Sequence, residues 1–174
     1  MSAPTVTPAD PLLVTKRWGS FWDTTATQTI PSANATSIVT FNQADPANNG
    51  VSMVGGNQMT FAYAGVYSIT FSIQFANTSA TLYLAQAWLR KNGLLPAQNL
   101  PDSNSRFSIT SKHGGNDGHV IGTVNFVLNL AAGDYLALAW SAENTAITLE
   151  SSPASAGPPD VPLTPCVILT AVQV

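Results

Sequence analysis

Between Gly65 and Phe75 the chain alternates without a break: Tyr67, Ile69, Phe71, Ile73 and Phe75 are apolar, and Ser68, Thr70, Ser72 and Gln74 between them are polar. Successive side chains of an extended strand point to opposite faces, so this run turns one apolar face to a core and one polar face away from it. Wound as a helix, the same apolar residues would scatter around its circumference. The segment therefore reads as a strand, with Tyr67 and Phe71 in a core or subunit interface.

From Trp18 onward that pattern recurs, and almost no window places apolar residues at helical spacing. Val124, Phe126, Leu128 and Leu130 alternate, Ala131 to Asp134 supplies a turn, and Leu136, Leu138 and Trp140 resume the alternation, which predicts a hairpin. The opposite face of its second strand, Ala137 and Ala139, is small enough for another backbone to approach. Shorter strands are expected at 38–42, 51–54, 58–62, 82–91, 106–110 and 146–149. Asn49-Gly50, Gly55-Gly56 and Asn92-Gly93 supply turns, because these residues tolerate positive φ.

The closing segment, Cys166 to Val174, is apolar on both faces and is expected to be a central strand buried on both sides, with Ile168 and Val172 at the axis of an oligomer. About ten short strands with Gly and Pro turns and no repeat of 20 to 50 residues predict an all-β fold, a single two-sheet antiparallel jelly-roll sandwich. The domain division is an extended N-terminal arm over 1–17 and the jelly roll over 18–174. Pro4, Pro8 and Pro11 keep the arm extended, and Leu12, Leu13 and Val14 are its candidate docking residues. Ser151 to Pro165 carries five prolines and is expected to run over the surface in polyproline-like form.

Charge narrows the function. Six basic and nine acidic residues give a net charge of −3, without the clustered Lys and Arg that nucleic acid or an anionic membrane requires. Charged residues make up 9% of the chain, against roughly 25% in an ordinary soluble domain. Faces so poor in charge are normally covered by association, which predicts an oligomer. No run approaches the roughly 18 apolar residues of a membrane span. A basic segment followed by a continuous apolar stretch is also missing near Met1, so no secretory leader is expected and the chain is expected to be assembled in a cytoplasm.

Catalytic chemistry is poorly supplied. Cys166, the only cysteine, lies in an apolar run and reads as a packed thiol. Both histidines fall in the loop from His113 to His119, with Asp117 between them. A glycine-rich loop with two histidines lacks the three or four rigid ligands of a zinc site. Serine elbows, GxGxxG and Walker motifs are absent, and Asp102, Asp134, Glu143 and Glu150 fall at turns or strand ends where carboxylates are ordinarily solvated. The glycosylation triplets starting at Asn34 and Asn77 are expected to be chance matches. Trp18, Phe21 and Trp22 fit packing better than sugar stacking. No enzyme activity, metal or cofactor is expected.

The string Gly65-Val66-Tyr67 through Phe75 resembles the G-x-Y-x-F strand signature of the complement globular-head and tumour-necrosis-factor-like trimers. Leu130 to Leu138, with Gly133-Asp134 at its centre, resembles their L-x-x-G-D-x-V-x-L segment. Trp18 to Thr25 and Trp88 to Gly93 are similar to segments of jelly-roll domains in tailed-bacteriophage structural proteins. The chain lacks the collagen-like stalk of the complement heads, which points away from a secreted immune role. The resemblance implies a homotrimer whose inner sheets meet on a three-fold axis, in a virion protein that decorates or cements a capsid. Its partners would be copies of itself and the major capsid protein or another virion protein, and its place the capsid surface. The alternative is a receptor- or carbohydrate-binding tip of a tail fibre, contacting a host surface glycan through His113, Asp117, His119, Pro158 and Pro159.

Overall fold

The computed structural model describes residues 16–25 and 27–174. Leu12, Leu13, Val14 and the prolines of the arm lie outside the described residues, so the expectation of arm docking is not addressed by the fold. Among the described residues there are thirteen strands: β1 (Trp18–Asp23), β2 (Thr27–Gln28), β3 (Ser37–Ile38), β4 (Gln43–Ala44), β5 (Val51–Val54), β6 (Gln58–Phe61), β7 (Gly65–Asn77), β8 (Tyr83–Lys91), β9 (Ser105–Ile109), β10 (Gly118–Leu130), β11 (Tyr135–Ala142), β12 (Ile147–Glu150) and β13 (Val167–Gln173). They form two antiparallel sheets stacked as a sandwich, the all-β jelly roll expected from the alternation.

The first sheet is organised around β7. Its full length, Gly65 to Asn77, pairs with β10 on one edge, while β13 and then β12 share the other. β1 pairs with the far edge of β13, and β4 with β1. The second sheet runs β5-β6-β11-β8-β9, with β3 beside β11. Tyr67, Ile69, Phe71, Ile73 and Phe75 are all buried between the sheets. There Phe61 meets Tyr67 edge to face with ring centroids 4.7 Å apart, Phe71 packs on Phe126 at 6.1 Å, and Phe75 on Trp140 at 6.2 Å. Burying each such side chain contributes about 1.5–3 kcal/mol.

One expected feature is different. The alternation that begins at Val124 resumes beyond the Ala131–Asp134 turn, yet β10 and β11 do not form a hairpin. β10 pairs with β7 in the first sheet, and β11 pairs with β8, β6 and β3 in the second. The turn carries the chain across the sandwich. Asp134 explains the crossing. Its carboxylate accepts bonds from the Ala131 amide at 2.7 Å and from Asn92 Nδ2 at 2.7 Å, and it pairs with Lys91 Nζ at 2.7 Å. Lys91 ends β8 and Asn92 follows it directly, so the side chain ties the turn to the second sheet. Asp134 is buried rather than solvated, contrary to expectation. Asn92 first, then Lys91, hold its carboxyl at about 2, against an ordinary 3.8.

Ala137 and Ala139 are also enclosed within the chain, where they stand opposite Arg90 and Trp88 on β8. Cross-strand neighbours share a face, so the small residues make room for these two large side chains. At the opposite edge of the sandwich, two glycines let β10 pass close to the second sheet. A Cβ at Gly118 would stand 1.9 Å from the Thr110 carbonyl oxygen, and one at Gly122 would stand 2.5 Å from the Phe107 ring. Ser151 to Pro165 folds back on itself through bridges from Ser152 to Thr164 and Ser155 to Val161, instead of running extended over the surface.

Candidate functional site

One face of the first sheet is unfinished in the single chain. The residues of β1, β7, β10 and β13 that point away from the core include no Asp, Glu, Lys or Arg. They do include Trp22 and Val66, and the exposed apolar side chains Ile121 and Val127 on β10 and Ile168 and Val172 on β13. The register sets these in rows: Trp22 beside Ile168, and Val172, Ser68 and Val127 across three neighbouring strands.

The polar residues between them bond mainly to each other. Asn125 Nδ2 donates to Ser68 Oγ at 2.8 Å and Thr70 Oγ1 at 2.7 Å, and Thr123 Oγ1 donates to Ser72 Oγ at 3.1 Å. Thr170 Oγ1 reaches the Thr70 carbonyl at 3.4 Å. A polar group that already has a partner loses less when water leaves. This face can therefore be dehydrated cheaply, which a charged sheet face could not.

The expected interface or core residues divide between two environments. Tyr67, Phe71, Leu138 and Trp140 lie in the core, and Phe126 is half-buried against it. Ile168 is 38% exposed and Val172 43% exposed, both on the open face. β13 is central, as expected, but it is not buried on both sides in the single chain: Val167, Leu169 and Ala171 face the core, and the alternate residues face outward. Alternation within 167–173 is the signal that separates the two sets. Phe21 is a core residue, while Trp18 and Trp22 are half-buried on the open face.

The two ends of the sandwich differ. At the end where β7 begins, the Arg17 guanidinium lies 3.9 Å over the Tyr63 ring and bonds Asn49 Oδ1 at 3.0 Å, while the Gln173 amide donates to the Arg17 carbonyl at 2.8 Å. These contacts hold the base of the arm. The candidate outer-loop residues gather at the end where β7 stops, roughly 40 Å away by strand rise. His113 is exposed, Asp117 pairs with Lys112 at 3.0 Å, His119 Nδ1 lies 3.8 Å from Glu150, and Pro158 and Pro159 are exposed near the tip of the folded-back loop. Among the described residues no three His, Cys, Asp or Glu side chains converge as metal ligands.

Two polar positions have roles that spacing alone did not reveal. Asp23 is buried at the end of β1, where its carboxylate accepts from the Thr25 amide and its carbonyl from the Cys166 amide. Burial, and then the charge of Asp23, push the Cys166 thiol up to about 11. Asn77, in the second glycosylation triplet, is fully buried and donates to the Thr81 and Thr110 carbonyls.

No family model matches the chain, and no curated protein matches it. Among solved structures, the Eiger TNF from S. frugiperda superposes with a TM-score of 0.59 at 13% identity, covering 91% of this chain and 92% of that one. At that identity the likeness concerns the path of the backbone, and it shows that the sandwich is a TNF-like jelly roll.

Proposed function

We propose that the protein is a non-catalytic structural subunit that associates as a homotrimer through the open face of the first sheet. The observation that carries this reading is the uncharged, laterally hydrogen-bonded face of β1, β13, β7 and β10, which exposes Ile121, Val127, Ile168 and Val172 to water in the single chain. Contiguous faces of this kind mark association sites. The finer reading is a decoration or cement subunit of a virion capsid, with the 1–17 arm docking on the shell. It is supported by the resemblance of Trp18 to Thr25 and Trp88 to Gly93 to phage structural proteins, and by the anchoring of Arg17 at the end of the sandwich opposite the outer loops.

Native mass spectrometry tests the assembly. The expected species has three times the 18.2 kDa mass of the protomer, and a monomer at micromolar concentration overturns the proposal. Binding of the purified protein to undecorated capsids, with and without residues 1–17, tests the attachment. Equal binding by both forms, or virion imaging that finds the protein only at the tail, removes the capsid reading.

A further inference from the structure

We propose that the outer surface of the second sheet carries a binding site for a neutral saccharide, in the groove beside Trp88. This inference does not rest on trimerisation, because the groove lies on the other sheet from the open face. It also differs from the His113–His119 and 151–165 loops, which lie at the end of the sandwich.

The groove has a volume of about 280 Å³ and is lined by Gln86, Trp88, Asn99, Leu100, Asp102 and Asn104. Ala85, Ala87 and Leu89 of β8 face the core, so Gln86 and Trp88 face outward. Trp88 is half-buried, and its ring is held in place: Nε1 donates to Asn99 Oδ1 at 2.8 Å, and the same oxygen accepts from Arg90 Nε at 2.8 Å. An indole face and Leu100 thus form an apolar wall.

Around that wall stand uncommitted polar groups. Asn99 Oδ1 is occupied, but Asn99 Nδ2 has no partner among the described residues. Gln86 Oε1 accepts from Asn104 Nδ2 at 3.1 Å, which leaves Gln86 Nε2 free to donate and Asn104 Oδ1 free to accept. The Asp102 carboxylate also has no partner among the described residues. Each sugar hydroxyl both donates and accepts, and a pyranose ring has an apolar C–H face that packs on an aromatic ring. Two amide donors, an amide acceptor and a carboxylate around an indole match that chemistry.

The segment that presents these groups is ordered in advance. Ser103 is buried, and its hydroxyl accepts from the Leu89 amide at 3.1 Å and donates to the Leu100 carbonyl at 2.8 Å. The Leu100 amide donates to the Leu89 carbonyl at 2.8 Å. Asp102 itself sits at φ 61°, a left-handed conformation that aspartate tolerates better than most residues. A rigid rim lowers the entropic cost of binding. The groove is lined by one carboxylate, and the Arg90 guanidinium beside it is buried and already engaged with Asn99, the Leu94 carbonyl and the Trp88 ring, so the site favours a neutral sugar over an anionic one.

Saturation-transfer NMR on the full chain tests the site. The probes are the methyl glycosides of glucose, galactose, mannose and N-acetylglucosamine, with the methyl glycoside of sialic acid as the anionic comparison. At least one neutral glycoside should show transfer to its ring C–H protons, with millimolar affinity. Trp88→Ala should abolish the signal. Because that change also removes packing, Asp102→Asn and Asn104→Ala, at exposed positions, should each weaken binding about tenfold while the thermal unfolding curve stays in place. Absence of transfer to every neutral glycoside overturns the proposal. So does binding that survives both Asp102→Asn and Asn104→Ala unchanged, or a sialoside that binds as well as the best neutral glycoside.

Discussion

Replacing Asp134 by asparagine should remove about 2 kcal/mol of stability at neutral pH and almost none near pH 2. The magnitude follows from the corner that the residue builds. Its carboxyl is held at about 2 against 3.8 in an unconstrained chain, and each unit of such a shift is worth about 1.4 kcal/mol. The side chain is 11% exposed, so solvent screens little of this. A depressed carboxyl stabilises the folded state at every pH above its unfolded value, and that contribution is lost as pH falls from about 4 to about 2. Urea unfolding followed by tryptophan fluorescence, at one protein concentration and at steps from pH 7 to pH 2, measures the gap between wild type and Asp134→Asn. A fixed concentration is needed because the proposed assembly would itself add stability. Other carboxylates titrate in the same window, but they cancel in the difference. The two stability curves should run parallel above pH 5 and converge below pH 4. A gap that stays constant down to pH 2 would refute the assignment of the corner to the ionised carboxylate.

Phe71→Ala should cost about 3–5 kcal/mol by chemical denaturation, because the ring is fully buried against Phe126, and a cost below 1 kcal/mol would mean that the faces of β7 are wrongly assigned. Val172→Asp should behave differently: at an exposed position of the single chain it should leave near-ultraviolet circular dichroism intact yet sediment as a monomer where the wild type sediments as the proposed trimer, and a variant that still sediments as a trimer would exclude this face from the interface. Cys166, with its thiol pushed up to about 11, should be roughly a thousandth ionised at pH 8 and should resist aromatic disulfide reagents until urea unfolds the chain; fast labelling of the native protein would contradict this. Gly118→Ala should destabilise more than a surface substitution, since its Cβ meets the backbone oxygen of Thr110, and a melting temperature within one or two degrees of wild type would count against that close approach.

The faces of strands were legible in the sequence, and their partners were not. Alternation from Tyr67 to Phe75 located a strand and its buried side because period two is a property of the local backbone. The turn at Ala131–Asp134 was equally visible, but a turn residue set does not say whether the flanking strands pair or part. That choice is made by Asn92 and Lys91, which reach Asp134 from about forty positions away. Nor does the sequence around Gly118 and Gly122 show that Thr110 and Phe107 stand close against them. In the closing strand, the apolar content of Val167 to Val172 suggested burial on both sides, whereas the inward residues are covered by the chain itself and Ile168 and Val172 are not. The Trp88 groove was hidden for a related reason. Gln86 and Trp88 lie on a strand and Asn99, Asp102 and Asn104 in the connection after it, and only the bonds of Asn99 and Ser103 bring them to one place.

β1 finds its main partner in β13, Gly19 opposite Ala171, and β13 is also the strand that joins β1 to β7. Closing a loop of about 150 residues is entropically costly before any contact repays it, and chains dominated by such distant pairings fold in milliseconds to seconds rather than microseconds. During synthesis the middle of the first sheet is missing until β13 has left the ribosome. Until then the β13 edge of β1 and that of β7 from Tyr67 to Ile73 remain unpaired, with the apolar residues of both in reach of other nascent chains. The period of greatest risk for this molecule is therefore the interval between the emergence of β7 and that of β13.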